Sequence, residues 1–280
     1  MEKKILSGIA VALVSLLGLP AAVATSPPVR DHIAGIKVTG TAMRVEMRSG
    51  RVIESEALVG ATLTLRMTDE ADPGLIYIES QRIDAYDPQH EITLYHMLTV
   101  DAVTGARQEM CGPDLHGEHW AFPLAGQWDA NGRHLTSTGY TLTCADGAQG
   151  KCVRWGYKPW KSLPDGTALE PYHQTCIHLV RAAYCGDEPT TNTGTLIDIY
   201  DKVGIQEPDP HPEEVGLRFE AAWNPQGAVC VEHTRVPENM SMSQLAQGCP
   251  RLKQRMGAAA CSADTAGNWG DPVLLFNRSR

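Results

Sequence analysis

Positive charge is sparse in this sequence. The 280 residues contain 24 Lys and Arg against 33 Asp and Glu, for a formal net charge of −9, and no long block of Lys or Arg occurs. Proteins that bind nucleic acids or anionic membrane surfaces need clustered positive charge. The composition therefore predicts no nucleic-acid partner.

The motifs of several common enzyme classes are also missing. The chain has no GxSxG, SxxK, P-loop or GxGxxG pattern, so the familiar signatures of hydrolases and nucleotide-binding proteins are absent. Internal repeats and low-complexity segments are absent too. We therefore predict no cofactor and favour a non-catalytic function.

The N-terminus has the pattern of a secretory signal. Lys3 and Lys4 precede an apolar stretch over 5–19 and a small-residue triplet at 22–24. This stretch is short for a membrane span and is interrupted by glycine. We predict cleavage after Ala24, which leaves a secreted or periplasmic protein without a stable membrane anchor.

All eight cysteines follow this signal, and none belongs to a CxxC pair. An even number in an oxidising compartment favours disulfides over a zinc site or a catalytic thiol. We predict four disulfides, with the pairing open among on the order of 100 possibilities. The cysteines are Cys111, Cys144, Cys152, Cys176, Cys185, Cys230, Cys249 and Cys261.

The first part of the chain has the pattern of antiparallel strands. Over 33–144, β-branched and apolar residues alternate or cluster between turn residues. Since no cysteine precedes Cys111, packing and sheet hydrogen bonds must hold most of this region. Strands are predicted at 45–48, 61–67, 75–80, 91–100 and 140–144.

The later part predicts one long helix at 169–184, where apolar residues recur at helical spacing. If this helix continues to Cys185, Cys176 lies about 13 Å from it along the axis, so the two cannot bond to each other. The proline-rich stretch at 206–214 is interpreted as an exposed loop. Further predictions are strands at 195–201, 219–223 and 228–233, a turn at 224–227 and a short helix at 242–247.

Together these patterns predict an α+β fold. A β-rich N-terminal region at 25–145 follows the signal at 1–24, and a disulfide-stapled α+β region with one long helix occupies 146–280.

The C-terminal part resembles the ADYC domain, a family of exported bacterial proteins. The resemblance also takes in the segment that starts at Cys111, so it covers 111–277. It implies an exported, cysteine-containing bacterial domain and supplies no reaction to carry over. The motifs that carry it, in order, are KCVRWGYKPW, HQTCIHLVRAAYCGD, GTLIDIYDKVGIQ, FEAAWNPQGAVCVEHTR and GCPRL.

One position departs from this family. Its Ala-Asp-Tyr-Cys tetrapeptide falls on 182–185, where Ala183 replaces the aspartate. If that aspartate is a general acid or base in the family, this chain lacks it. If the aspartate only caps a helix or pairs with a surface residue, its absence has little effect on function.

The local candidate for a metal site is the loop with His116, Glu118 and His119. Two imidazoles and a carboxylate within four residues can share one ion, and Asp114 lies nearby. The HExxH arrangement of zinc enzymes is absent, so an exposed polar loop is the favoured interpretation and no metal is predicted.

A second candidate is a Cys–His nucleophile at 173–178. On a helix His173 shares a face with Cys176, whereas His178 points away from it. Because Cys176 lies on the apolar stripe, a buried disulfide is the favoured interpretation.

Aromatic residues and acids complete the candidates. Trp155, Tyr157 and Trp160 form either a stacking platform for a ligand or part of the core, and in a strand the first two share a face. The scattered acids are interpreted as solvated or capping carboxylates; they are Asp187, Asp198, Asp201 and Glu220.

These observations predict an exported, disulfide-stabilised binding or interaction module with an extracytoplasmic ligand or protein partner. The alternative is a secreted or periplasmic hydrolase that uses a metal site at His116, Glu118 and His119.

Overall fold

The computed structural model describes residues 32–65, 74–129 and 132–280. The predicted signal and its cleavage after Ala24 lie outside these residues. Within them, antiparallel strands form sheets of three, six and four strands, and the α-helices lie in the C-terminal half. The predicted α+β class is confirmed.

The first sheet contains three strands. In β2, Met43 and Val45 are buried while Arg44 between them is exposed, which is the alternation of a strand with one face on the core. The backbone N–H of Met43 donates to the hydroxyl of Tyr95 at 3.0 Å and ties this sheet to the next. The elements are β1 (Ile33–Thr39), β2 (Ala42–Met47), β3 (Val52–Glu54) and a 3-10 helix (Ser55–Leu58).

The six-stranded sheet follows. Its order is β4-β5-β6-β8-β9, with β7 paired to β6. Strand β6 is buried on both faces, since Leu94 on one face and Tyr95 and Met97 on the other are fully buried. The strands are β4 (Thr62–Leu65), β5 (Gly74–Ile83), β6 (Thr93–Val100), β7 (Arg107–Glu109), β8 (Trp120–Trp128) and β9 (His134–Cys144).

The C-terminal half packs helices on a four-stranded sheet of order β10-β13-β11-β12. Its core centres on the fully buried Tyr157, Tyr184 and Trp223. The elements are α1 (Ala148–Arg154), α2 (Glu170–Arg181), β10 (Ile197–Asp201), β11 (Arg218–Asn224), β12 (Gly227–Val231), α3 (Met242–Gly248), β13 (Leu275–Ser279) and 3-10 helices at Pro212–Val215, Pro250–Leu252 and Ala266–Trp269.

The long helix is present but shorter than its sequence pattern. Helix α2 has Pro171 in its first turn and ends where Ala182 takes a left-handed conformation, with φ of 50°. The predicted turn between β11 and β12 is confirmed by the pairing of Asn224 with Gly227. The proline-rich loop is corrected in part, because Pro212–Val215 forms a 3-10 helix. No helix in the described ranges is long and apolar enough to cross a membrane.

All eight cysteines form disulfides, as predicted. Cys176 and Cys185 do not bond to each other; each connects α2 or its end to another element. The pairs are Cys111–Cys144, Cys152–Cys176, Cys185–Cys249 and Cys230–Cys261.

Buried ion pairs connect the six-stranded sheet to the region after it. The ammonium of Lys158 lies 2.9 Å from Asp87 and 2.7 Å from Glu91. Arg154 of α1 lies 2.7 Å from Asp84 in the β5–β6 loop. Because these charges are largely removed from water, each needs its partner.

Candidate functional site

The candidate metal ligands lie in the loop between β7 and β8, where their side chains have separate partners. The His116 ring stacks on Tyr86 with ring centroids 3.9 Å apart. Glu118 forms an ion pair with Arg82, and Nδ1 of His119 lies 2.8 Å from a backbone carbonyl oxygen. The structure does not bring the three side chains around a common position.

Asp114 organises this loop. Its carboxylate accepts the backbone N–H groups of His116 at 2.8 Å and Glu118 at 3.1 Å, and it accepts from Arg154 at 2.9 Å. Burial acts to raise the pKa of Asp114, but these hydrogen bonds outweigh it and hold the pKa below its usual range. Asp114 therefore serves as a turn-forming residue.

Among the described residues, three metal-ligating side chains of His, Cys, Asp or Glu converge within 4.8 Å at one place, formed by Cys111, Cys144 and Asp146. The two sulfurs are bonded to each other at 2.06 Å. A thiolate is the form of cysteine that ligates a metal, so this group is a disulfide beside a carboxylate.

Cys176 has no free thiol because it is bonded to Cys152. His173 on the same helix is fully buried, and its Nε2 lies 3.3 Å from the carbonyl oxygen of Gln149. Burial lowers the pKa of His173 to about 4. The Cys–His nucleophile is thus excluded, and the buried disulfide is confirmed.

The aromatic set does not lie in a strand. Helix α1 ends just before Trp155, and Tyr157 is fully buried with its hydroxyl donating to Asp201 at 2.7 Å. Trp160 is 36% exposed and lies against Gly40, where a Cβ would be 3.3 Å from the ring. The face shared by Trp155 and Tyr157 in a strand therefore does not apply, and core packing accounts for Tyr157.

Glu220 is fully buried, which corrects its interpretation as a solvated or capping carboxylate. It accepts hydrogen bonds from Arg235 at 3.0 Å, Asn277 at 2.6 Å and the hydroxyl of Tyr184 at 2.9 Å. Burial first, and the charge of Glu220 second, raise the pKa of Tyr184 well above its usual value. These contacts supply the partners that a buried charge requires.

The other acids have ordinary structural roles. Asp201 accepts three backbone N–H groups of the following loop, at residues 203, 205 and 206, which fits a capping carboxylate. Asp198 forms an ion pair with Arg278 at 3.1 Å, and Asp187 is exposed.

Ser279, His233 and Glu232 are arranged like a serine-hydrolase triad. Nε2 of His233 lies 3.0 Å from the Ser279 hydroxyl, and its Nδ1 contacts the Glu232 carboxylate. A nucleophile must be reached by its substrate. Ser279 is fully buried in β13, so this relay ties the segment after β12 to β13 rather than forming an accessible nucleophile.

A groove of about 540 Å³ lies beside α2 and is the candidate site for a ligand. Glu170, Gln174 and His178 follow one another at four-residue spacing on this helix, so they share one face. We call this site the α2 groove. Its lining residues are Arg133, His134, Glu170, Gln174, His178, Cys185, Gly186, Pro225, Gln226 and Arg251.

Gln174 determines which atoms of the α2 groove donate hydrogen bonds and which accept them. Its Oε1 accepts the backbone N–H of His134 at 2.9 Å, and its Nε2 donates to the carbonyl of Gly132 at 2.7 Å. The same Nε2 lies 3.0 Å from Nε2 of His178. A backbone N–H can only donate and a carbonyl can only accept, so the amide orientation is fixed and Gln174 donates to His178.

His178 consequently presents an N–H group at Nδ1. A neutral imidazole that accepts at Nε2 carries its proton on Nδ1. Burial, followed by the charges of Arg181 and Arg133, lowers the pKa of His178 to about 4, although the Pro225 carbonyl acts in the opposite direction. The contact with the Pro225 backbone does not reach hydrogen-bond geometry, so among the described residues this buried Nδ1 has no hydrogen-bond partner.

Two arginines border the same groove. Arg133 makes one long hydrogen bond, of 3.4 Å, to the carbonyl of Gly186. Arg251 donates to the carbonyls of Tyr184 at 2.9 Å and Gln226 at 3.1 Å. Within the described chain neither arginine forms an ion pair with a carboxylate, whereas Glu170 is paired with His134 at 3.1 Å.

Comparison with protein families matches the ADYC domain to residues 55–237. The chain belongs to the ADYC domain family. No curated protein and no solved structure matches it significantly. The matched range begins well before Cys111 and ends before Asn277, whereas the resemblance seen in the sequence covers 111–277. Most residues of the α2 groove fall inside the ADYC domain, and Arg251 lies beyond it.

In this ADYC domain, Ala183 lies at the end of α2 beside the groove residue Cys185. Ala183 is fully buried, and its backbone N–H donates to the carbonyl of His178 at 2.9 Å. A carboxylate at this position would therefore enter the protein interior rather than the surface.

Sequence reasoning found part of the groove. It singled out His178, but only as a partner for Cys176. The four-residue spacing of Glu170, Gln174 and His178 was the available signal. The contributions of Arg133 and Arg251 come from distant segments and have no local signature.

Proposed function

We propose that this protein is a non-catalytic, extracytoplasmic binding module whose α2 groove holds a small polar ligand. Four disulfides fit an oxidising compartment. Its ADYC domain supplies a rigid frame, because helix α2 is buried on nearly all sides. The proposal includes export through the signal at 1–24 and cleavage after Ala24.

The observation that carries the proposal is the unpartnered Nδ1–H of His178. Leaving a buried donor without an acceptor costs about 1–3 kcal/mol. A ligand that supplies the acceptor recovers this free energy on binding. The groove volume of about 540 Å³ also lies in the range of small-molecule sites.

The hydrolase alternative has less support. His116, Glu118 and His119 each contact a different partner, and the serine of the Ser279 relay is fully buried. A binding function requires neither a converging metal site nor an accessible nucleophile.

The test uses full-length, disulfide-bonded protein labelled with ¹⁵N-histidine. Neutral sugars, amino acids, polyamines, organic acids and inorganic phosphate are added in turn while the ring resonances are recorded. We expect at least one class to shift His178 and His134, with the fully buried His173 unchanged as an internal control. If every class leaves His178 unchanged, the proposal is wrong.

Export is tested separately by the intact mass of protein purified from the extracytoplasmic fraction. We expect a chain that begins at Thr25 and carries four disulfides. A retained N-terminal segment would contradict the predicted cleavage.

A further inference from the structure

We propose that the ligand of the α2 groove is a small organic oxyanion, with its charged group between the Nδ1–H of His178 and the guanidinium of Arg133. This inference rests on the proposed function and narrows it to one chemical class. Three features of the groove lead to it.

The first feature is the direction of the free hydrogen bond. Gln174 is held by two backbone groups, at 2.9 Å and 2.7 Å, and must donate to Nε2 of His178. His178 can then offer only a donor at Nδ1. The matching ligand atom is an acceptor, which excludes an ammonium group at this position.

The second feature is uncompensated positive charge. Arg133 is exposed and makes one long hydrogen bond to a carbonyl, so most of its donors are available. Arg251 contacts only backbone carbonyls, and its pKa is lowered by burial and by Arg255. Within the described ranges no carboxylate pairs with either guanidinium, so a bound anion would supply the negative charge that these two groups lack.

The third feature is that the groove contains a single acidic residue. Glu170 is the one carboxylate among the residues that line the groove, and its Oε1 lies 3.1 Å from Nδ1 of His134. Glu170 supplies one negative charge against the two guanidiniums of Arg133 and Arg251, so the groove keeps a net positive charge.

Carboxylates and phosphates both fit this set of donors. A guanidinium binds either group with two parallel hydrogen bonds. The probes are therefore chosen to separate the two sources as well as to test the charge. They are succinate, inorganic phosphate, the uncharged analogue succinamide and the dication putrescine.

Binding of each probe is measured by calorimetry and by the shift of His178 in the ¹⁵N-histidine spectra. We expect succinate or phosphate to bind and shift His178, and succinamide and putrescine to do neither. Succinate alone assigns a carboxylate ligand, and phosphate alone assigns a phosphorylated one; both results support the inference.

Variants then test the residues. Arg133 is exposed, so Arg133→Gln should fold normally, and we expect it to weaken anion binding about tenfold. Arg133→Lys should retain more of the affinity than Arg133→Gln. The matched control is Arg44→Gln, which removes an exposed arginine from the first sheet and should leave binding unchanged.

A second variant addresses the donor. His178→Phe removes the Nδ1–H and should lower the anion affinity, and its melting temperature shows whether the fold persists. If that variant unfolds, Arg133→Gln still decides the question.

Two outcomes would overturn the inference. Succinamide or putrescine could bind at His178 as tightly as the anions, in which case the groove is a binding site but the ligand class is wrong. Alternatively, Arg133→Gln could bind the anions as tightly as the wild type. If no probe and no compound of the wider panel shifts His178, the proposed function itself fails.

Discussion

The two halves of this molecule are stabilised in different ways. The described residues before Cys111 form the three-stranded sheet and four strands of the six-stranded sheet without any disulfide. Three of the four disulfides lie within the region after Cys144. That region has short helices, four sheet strands and long connections. Cross-links thus occur where regular backbone hydrogen bonding is sparse, and sheet pairing suffices elsewhere.

Most of the α2 groove belongs to the cross-linked half, and the segment at the start of β9 adds Arg133 and His134. Its floor is formed by α2, which a disulfide fastens to α1 through Cys152 and Cys176. The rim includes Cys185 of another disulfide. A binding site built from loops and one helix needs such fixation, because a displaced donor loses its ligand contact.

The largest effect is expected from Glu220→Ala. The change leaves the guanidinium of Arg235 buried without its carboxylate, so the free energy of unfolding should fall by about 4 kcal/mol. Urea denaturation measures the loss. Asp271→Ala breaks the more exposed pair with Arg255 and should cost at most about 1 kcal/mol; equal losses would contradict the argument from burial.

Removal of one cross-link should affect the C-terminal half selectively. Replacing both Cys152 and Cys176 by alanine should lower the free energy of unfolding by about 3 kcal/mol, since the bond closes a loop with a sequence separation of 24 residues. Hydrogen exchange should accelerate in α1 and α2 while β5 and β6 keep their protection. Equal acceleration in both halves would show that they are not stabilised separately.

Acid should destabilise the protein through His173. Its pKa is about 4 in the folded state and 6.5 in the unfolded state, so the unfolded state binds more protons between these values. Stability contributed by the neutral ring is complete above pH 6.5 and should fall by about 3 kcal/mol towards pH 4.

The His173→Phe variant tests this assignment by urea denaturation at several pH values. The variant should lose that part of the pH dependence, while His211→Phe, at an exposed position, should retain it. An unchanged slope in His173→Phe would rule out His173 as the cause.

The smallest expected effect concerns the connection between the halves. Lys158→Met leaves Asp87 buried with only its backbone hydrogen bonds, so we expect a loss of about 2 kcal/mol. Lys161→Met removes a more exposed partner of Glu91 and should cost less. Denaturation curves recorded with probes in each half should separate in Lys158→Met; coincident curves would show that the ion pairs do not couple the halves.

Much of the fold was predictable from the sequence. Strand alternation, the apolar stripe of α2 and the turn at 224–227 are local patterns, and the structure confirms them. The parity of the cysteines predicted four disulfides. Their pairing was not predictable, because it depends on which distant segments meet.

The candidate site was less predictable, because its chemistry depends on contacts between distant segments. Glu220 looked like a surface acid, yet it is buried, where Arg235 compensates its charge and Asn277 donates a hydrogen bond to it. His116 and His119 looked like ligands, yet separate partners hold them apart. The free donor of His178 exists only because β9 places His134 and Gly132 beside Gln174.

The order of the disulfides along the chain has a consequence for biogenesis. The first two bonds join successive cysteines. The other two interleave along the chain, because Cys185 bonds to Cys249 and Cys230 bonds to Cys261. Pairing of the cysteines strictly in chain order would form the first two bonds correctly and would link Cys185 to Cys230. The native pattern would then require thiol–disulfide exchange, so sequential pairing alone does not place Cys185 at the rim of the α2 groove.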